Sequence, residues 1–203
     1  MRPPMSEDVV IIDSGGANLA SLQFALERLG ARSRVSADPA VVAAAPRVLL
    51  PGVGSAGDAM RRLRAAGIDG VLPTLRQPVL GICLGMQLLF EHSAEGATAT
   101  LGVFPGDVDR LVPAPGLPVP HMGWNTLEDL HPDPLLEGIG PGEHFYFVHS
   151  FAARPSATTL ATAAYGAPLV AVAGRDNFRG VQFHPERSGA AGAALLANFL
   201  RLT

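Results

Sequence analysis

Strand and helix patterns alternate through the first half of this 203-residue sequence, predicting an α/β fold with a mixed, mostly parallel central sheet and helices on both faces. Three features carry that expectation. Short aliphatic runs (Val9-Val10-Ile11-Ile12, Val48-Leu49-Leu50, Val79-Leu80) have the unbroken apolar character of strands buried on both faces. Each run leads through a turn into apolar residues at helical spacing. Beyond Gly96 the runs become short and are separated by Gly and Pro, as in hairpins, so the later strands are expected to be partly antiparallel.

In order, Val9 to Asp13 is a buried strand and Ser14 to Asn18 a turn. Leu19, Leu22, Leu26 and Leu29 then form the inner stripe of a helix that stops at Gly30. Arg32 to Val35 fits a second strand and Pro39 to Ala45 a short helix. The strand Arg47 to Leu50 ends at Pro51-Gly52-Val53-Gly54, before a helix over Ser55 to Ala66 and a short one over Ile68 to Leu75. The strand before Cys83 leads into a helix reaching about His92. Further strands are expected at Leu101 to Phe104, Asp107 to Leu111, Val119 to Met122, Phe145 to Phe151, Thr159 to Ala164, Leu169 to Ala173 and Gly180 to Phe183. A helix from Gly189 to Leu202 closes the chain.

Composition narrows the possibilities. The length suits a single domain over residues 1–203, enough to bury about 70% of the unfolded surface. No apolar run approaches the roughly 18 residues of a membrane span. Met1 to Asp8 lacks the apolar core of a secretory leader, so the expected location is cytoplasmic. A single cysteine rules out an internal disulfide framework. The fifteen basic residues, all Arg, are scattered against a net charge of −3, which argues against nucleic-acid binding.

The lone cysteine stands in Gly81-Ile82-Cys83-Leu84-Gly85, between a strand and a helix. A nucleophile on such a sharp turn would bring side chains two residues away into collision with neighbouring backbone, and glycine at both places removes that collision. A buried structural cysteine also fits this pattern. Far along the chain, Val181-Gln182-Phe183-His184-Pro185-Glu186 ends a strand with His and Glu two residues apart, on one side of an extended chain. Glu186 can then accept from one ring nitrogen of His184 and leave the other free. Cysteine plus an oriented histidine is a constellation for nucleophilic acyl transfer. By itself, His-x-Glu also fits a surface pair or two metal ligands, although no third ligand has convincing spacing.

Taken together, Pro51-Gly52-Val53-Gly54, Gly81 to Gln87 and Gln182 to Glu186 resemble the class I (triad-type) glutamine amidotransferases, whose flavodoxin-like fold agrees with the α/β expectation. Pro120 to Asn125, Tyr146 to Phe151 and the turn Asp13 to Leu19 resemble more narrowly the glutaminase subunits of imidazole glycerol phosphate synthases. The resemblance covers Val9 to Leu202. It implies a Cys83, His184, Glu186 triad that hydrolyses glutamine through a thioester, without cofactor or metal. It implies oxyanion and substrate contacts from Gly52, Val53, Gly54, Leu84, Gln87, Ser150 and Phe151. It also implies a (βα)8-barrel cyclase partner that consumes the ammonia in histidine biosynthesis, forming imidazole glycerol phosphate and aminoimidazole carboxamide ribotide. Asn18, His121, Trp124, Tyr146, His149 and Arg187 fall where that family has residues at or near the interface.

Bland roles remain open for these last residues: core aromatics for Trp124 and Tyr146, satisfied strand histidines for His121 and His149, a solvated charge for Arg187. The sequence departs from the family pattern at Ser14 and Ala17 in the opening turn, at Arg187 where Lys is common, and at Phe151 where Tyr is common. An amidotransferase serving another synthase and a stand-alone γ-glutamyl cysteine hydrolase are the alternative activities. A non-enzymatic module with a vestigial triad is the alternative outside catalysis.

Overall fold

A computed structural model describes residues 8–14 and 19–203. Its centre is a seven-stranded sheet of β1 (Val9–Ile12), β2 (Ser33–Ser36), β3 (Val48–Gly52), β4 (Val79–Cys83), β11 (Thr159–Tyr165), β12 (Ala167–Arg175) and β13 (Phe178–Val181). The strand order is β11-β12-β13-β4-β3-β1-β2. Pairing is parallel from β13 through β4, β3 and β1 to β2, and antiparallel for β11 with β12 and β12 with β13. The mixed, mostly parallel sheet is therefore as the sequence pattern predicts.

Strand β1 shows why its run is apolar throughout. Val9 and Ile11 enter one apolar cluster, with Leu22 and Leu26 of α1 (Leu19–Arg28) and Leu195, Leu196 and Phe199 of α6 (Gly189–Arg201). Val10 and Ile12 enter the cluster on the opposite face, with Val42 of α2 (Pro39–Ala43), Met60 and Leu63 of α3 (Ala56–Ala65) and Ile68 of α4 (Ile68–Val71). Alternate side chains point to opposite faces of a sheet, so only a continuous aliphatic run fills both layers. Among the described residues, no helix is long and apolar enough to cross a membrane.

Some sequence expectations need correction. The helix after Cys83, α5 (Leu84–Gln87), is a single turn and does not reach His92. The carbonyls of Leu88, Leu89 and Phe90 accept from the backbone N–H groups of Leu101, Phe104 and Gly102, so the segment folds back on its own loop. Those bonds also explain why Leu101 to Phe104 is not a strand. The next strands, β5 (His92–Ser93), β6 (Thr98–Ala99) and β7 (Asp107–Arg110), form a small second sheet. The expected strand at Val119 to Met122 begins instead at His121, as β8 (His121–Thr126). The aromatic run is two strands, not one: β9 (His144–His149) pairs with β8, and β10 (Phe151–Ala153) joins β7. The break falls at Ser150, where the chain passes from the hairpin to the second sheet.

Candidate active site

Cys83 is the last residue of β4 and caps α5, with φ 54° and ψ −113°. This positive-φ conformation is costly for a residue with a side chain, and such strain clusters at functional turns. Crowding forces it. A Cβ on Gly85 would lie 1.7 Å from the carbonyl oxygen of Leu50, and one on Gly81 would lie 2.8 Å from the backbone of Gly85 and Met86. The glycine expectation therefore holds, with β3 and α5 as the close neighbours.

Sheet register assembles the rest. Gly52 on β3 pairs with Cys83 on β4, placing the Gly52 to Gly54 segment beside the thiol. On the other side of β4, Val181 of β13 pairs with Ile82, so the chain leaving β13 passes the same end of the sheet. His184 sits in that exit. Its Nδ1 stands 2.9 Å from Glu186 Oε1, and its ring lines the same cleft as Cys83. The residues responsible differ from the sequence expectation in one respect. Strand β13 ends at Val181, and Glu186 reaches the ring through a 3-10 turn over Pro185–Arg187 rather than across a strand face.

Burial disfavours a charged His184, but hydrogen bonds that the ring donates to Cys83 and Glu186, together with charge attraction to them, outweigh it and push the imidazole pKa up to about 10. Such a ring is well suited to hold a proton taken from a thiol. The second carboxylate oxygen, Glu186 Oε2, is buried without a hydrogen-bond partner.

Val53, Gly54, Cys83, Leu84, Gln87, Ser150, Phe151 and His184 together line one cleft of about 360 Å³, within the usual range for small-molecule sites. Gly52, Glu186 and Arg187 line a smaller cavity of about 140 Å³ that shares Val53, Val148 and His184 with it. The N–H of Leu84 opens α5 and so has no acceptor within the helix.

A model of the class-I glutamine amidotransferase family matches residues 10–202. The chain belongs to that family. It is 50% identical over 192 residues to the Mannheimia succiniciproducens protein named imidazole glycerol phosphate synthase subunit HisH, covering 95% of this chain and 98% of that one. It is 50% identical over 196 residues to the Xanthomonas oryzae pv. oryzae protein of the same name, covering 97% and 98%. A solved glutamine amidotransferase superposes with a TM-score of 0.74 at 21% identity, covering 95% of this chain and 96% of that one, and shows the shared fold.

In this amidotransferase, Gln87 lies at the cleft but its amide is largely engaged. Nε2 donates to the Phe151 carbonyl at 2.8 Å and to Gln182 Oε1 at 3.0 Å, which commits both hydrogens and leaves Oε1 as the atom it can offer. The Phe151 carbonyl also accepts from His149 Nδ1 at 2.8 Å, so it has no further capacity for substrate. The Ser150 carbonyl accepts from the N–H of Leu111. Pairing within the protein thus fills the Phe151 carbonyl, while the Ser150 carbonyl keeps one lone pair beside the two N–H groups and the Ser150 hydroxyl.

Gln182 escaped sequence reasoning as a site residue. It is fully buried, with Nε2 3.9 Å from Cys83 Sγ and Oε1 on Gln87. Its signal was its place two residues before His184, which reads as strand interior until register sets it beside the thiol.

Trp124 and Tyr146 are cross-strand partners on the β8–β9 hairpin, with rings 6.0 Å apart, and Arg187 lies 4.8 Å above the Tyr146 ring. Trp124 is 57% exposed, and Met122, which sequence reasoning passed over, is 63% exposed. His121 and His149 are 3% and 6% exposed, so they pack beneath this face and do not present themselves on it. Asn18 lies outside the described residues.

Proposed function

We propose that this chain is the glutaminase subunit of an imidazole glycerol phosphate synthase, a cytoplasmic enzyme acting as one domain beside a (βα)8-barrel cyclase in a heterodimer. The observation that carries the reading is the placement of Cys83 and the His184–Glu186 pair at one end of β4, in a chain half identical to the named subunits over nearly its whole length.

In this reading Cys83 is the nucleophile. With the thiol proton already held on His184, the sulfur attacks the carboxamide carbon of glutamine as a thiolate, and Glu186 holds the ring oriented and stabilises its charge. The tetrahedral oxyanion accepts from the N–H of Leu84 and from an N–H of the Gly52 to Gly54 strand. Loss of one such donor costs about 3 kcal/mol of barrier. His184 then protonates the departing nitrogen, ammonia leaves, and water hydrolyses the γ-glutamyl thioester to glutamate. Gln87 Oε1 can accept from the substrate ammonium, within reach of the cleft it lines.

Ammonia released into water would be protonated and lose its nucleophilicity, which favours direct delivery to a bound partner. The exposed Trp124 and Met122, with Tyr146 and Arg187 beside them, offer that partner an apolar, aromatic face of the kind that anchors protein interfaces. The cyclase is expected to use the ammonia on a ribulosyl-phosphate intermediate. Cys83→Ala should abolish glutamine-dependent synthesis in the presence of the partner, while ammonium salts still support it. Loss of both activities in a correctly assembled complex would contradict the reading. A chain fully active without any partner would favour the stand-alone hydrolase.

A further inference from the structure

Ser14 lies just past the end of β1, and its hydroxyl donates to the carbonyl of Pro51 at 2.7 Å in a buried contact. The ladder between β1 and β3 ends at Ile11 with Leu49, so β3 runs on for Leu50, Pro51 and Gly52 beyond its paired stretch with β1. Pro51 has no N–H, so its carbonyl is the one backbone hydrogen-bonding group it contributes. The Ser14 side chain thus bonds that carbonyl where the β1 ladder has stopped.

Ser14 is itself tied down at both ends. Its N–H donates to the Ile12 carbonyl at 3.0 Å, and its own carbonyl accepts from Arg62 Nη1 at 3.5 Å. Arg62 belongs to α3, the helix that opens immediately after the Gly52 to Gly54 segment. One residue therefore holds the beginning of that segment through its hydroxyl and the following helix through its carbonyl.

The consequence follows from peptide planarity. In a trans peptide the C=O and the next N–H point in opposite directions, so anchoring the Pro51 oxygen fixes the plane of the Pro51–Gly52 peptide. The Gly52–Val53 peptide is the next one along, and Gly52 is in register with Cys83. We propose that Ser14 is a positioning residue for the oxyanion strand: its bond to Pro51 sets the base from which an N–H of Gly52 to Gly54 is presented to the tetrahedral intermediate. This rests on reading that strand as an oxyanion donor.

The test uses the assembled complex with the cyclase, and a glutamine analogue carrying an aldehyde in place of the carboxamide, whose thiohemiacetal with Cys83 bears an oxyanion. Ser14→Ala is expected to lower kcat about 3- to 10-fold, the effect of one hydrogen bond, with KM unchanged. Aldehyde affinity should fall by a similar factor, while glutamate affinity and the alkylation rate of the chain's single cysteine stay as in the parent. Ser14→Thr and Ser14→Val, equal in shape, provide a second comparison in which only Thr should retain the higher kcat.

A merely structural role would weaken aldehyde and glutamate alike, or leave Thr and Val equal, and either result overturns the proposal. Val53→Pro, which removes an N–H, tests the underlying reading separately. Impairment by Val53→Pro with no effect of Ser14→Ala rejects Ser14 alone. Full aldehyde affinity in Val53→Pro, with glutamine turnover also intact, rejects Val53 as the donor.

Discussion

His121 Nδ1 stands 3.0 Å from His149 Nε2 inside the β8–β9 hairpin, and the surroundings decide which ring donates. The Phe151 carbonyl can only accept, so His149 Nδ1 carries a hydrogen and its Nε2 is the acceptor. His121 then donates from Nδ1 and accepts at Nε2 from Asn125 Nδ2 at 3.4 Å. The His121 ring is also stacked between Phe147 and Tyr165, at centroid distances of 4.9 and 4.0 Å. Two neutral rings satisfy every one of these partners, and a second proton on either would have no acceptor in the set.

Acid sensitivity follows. Burial pushes both imidazoles down to about 4 from an ordinary 6.5, and in His149 the charges of His121 and His184 add to the effect against an opposing bond to Phe151. Between these values the unfolded chain binds more protons, so the contribution to stability is whole above 6.5 and fades as pH falls towards 4. Urea unfolding across this interval should show stability declining with acidity. His149→Gln should be less stable near neutrality and show a shallower decline.

The opposite sign applies to His184. Its pKa is raised to about 10, so its contribution to stability is complete below 6.5 and is lost as pH rises through about 10. Imidazole nitrogen NMR should find this ring protonated well into the alkaline range. Glu186→Gln should move its midpoint downward, because the neutral amide supplies less stabilisation of the charged ring, and should reduce glutamine turnover. An unmoved midpoint would mean that Glu186 does not stabilise the charged ring.

Gly85→Ala tests the crowding at the turn. With backbone at 1.7 Å from the new Cβ, no side-chain rotation relieves the contact, and a loss of about 3 kcal/mol is expected in denaturant unfolding. Gly54→Ala meets no atom within 4 Å and bears only the cost of its positive φ, so it should be milder.

Trp124→Ala should weaken binding of the cyclase by about 2 kcal/mol, the scale of an aromatic anchor, with little change in the melting temperature of the isolated chain. Calorimetric titration of the partner checks the first expectation and a thermal melt the second. Phe147→Ala, removing a fully buried ring from the same hairpin, should instead lower thermal stability by about 3 to 5 kcal/mol.

What the sequence by itself determined is local. Apolar runs specify strands buried on two faces, the stripe from Leu19 through Leu26 specifies a helix, and Gly81 and Gly85 specify a turn that only small residues tolerate. Each depends on neighbours within a few positions, where chain geometry leaves few options. Tertiary structure decided everything that depends on distant backbone. The register of β13 on β4 brought His184 and Gln182 to Cys83 across about a hundred residues of chain. Pairing partners split the aromatic strand at Ser150 and placed His121 and His149 beneath the exposed face. Hydrogen bonds made elsewhere consumed the Phe151 carbonyl and stopped the helix after Gln87. A residue type states what a side chain or peptide group can bond. Which of those bonds is made depends on what folding places within 3 to 4 Å of it, and that neighbour is seldom near in sequence.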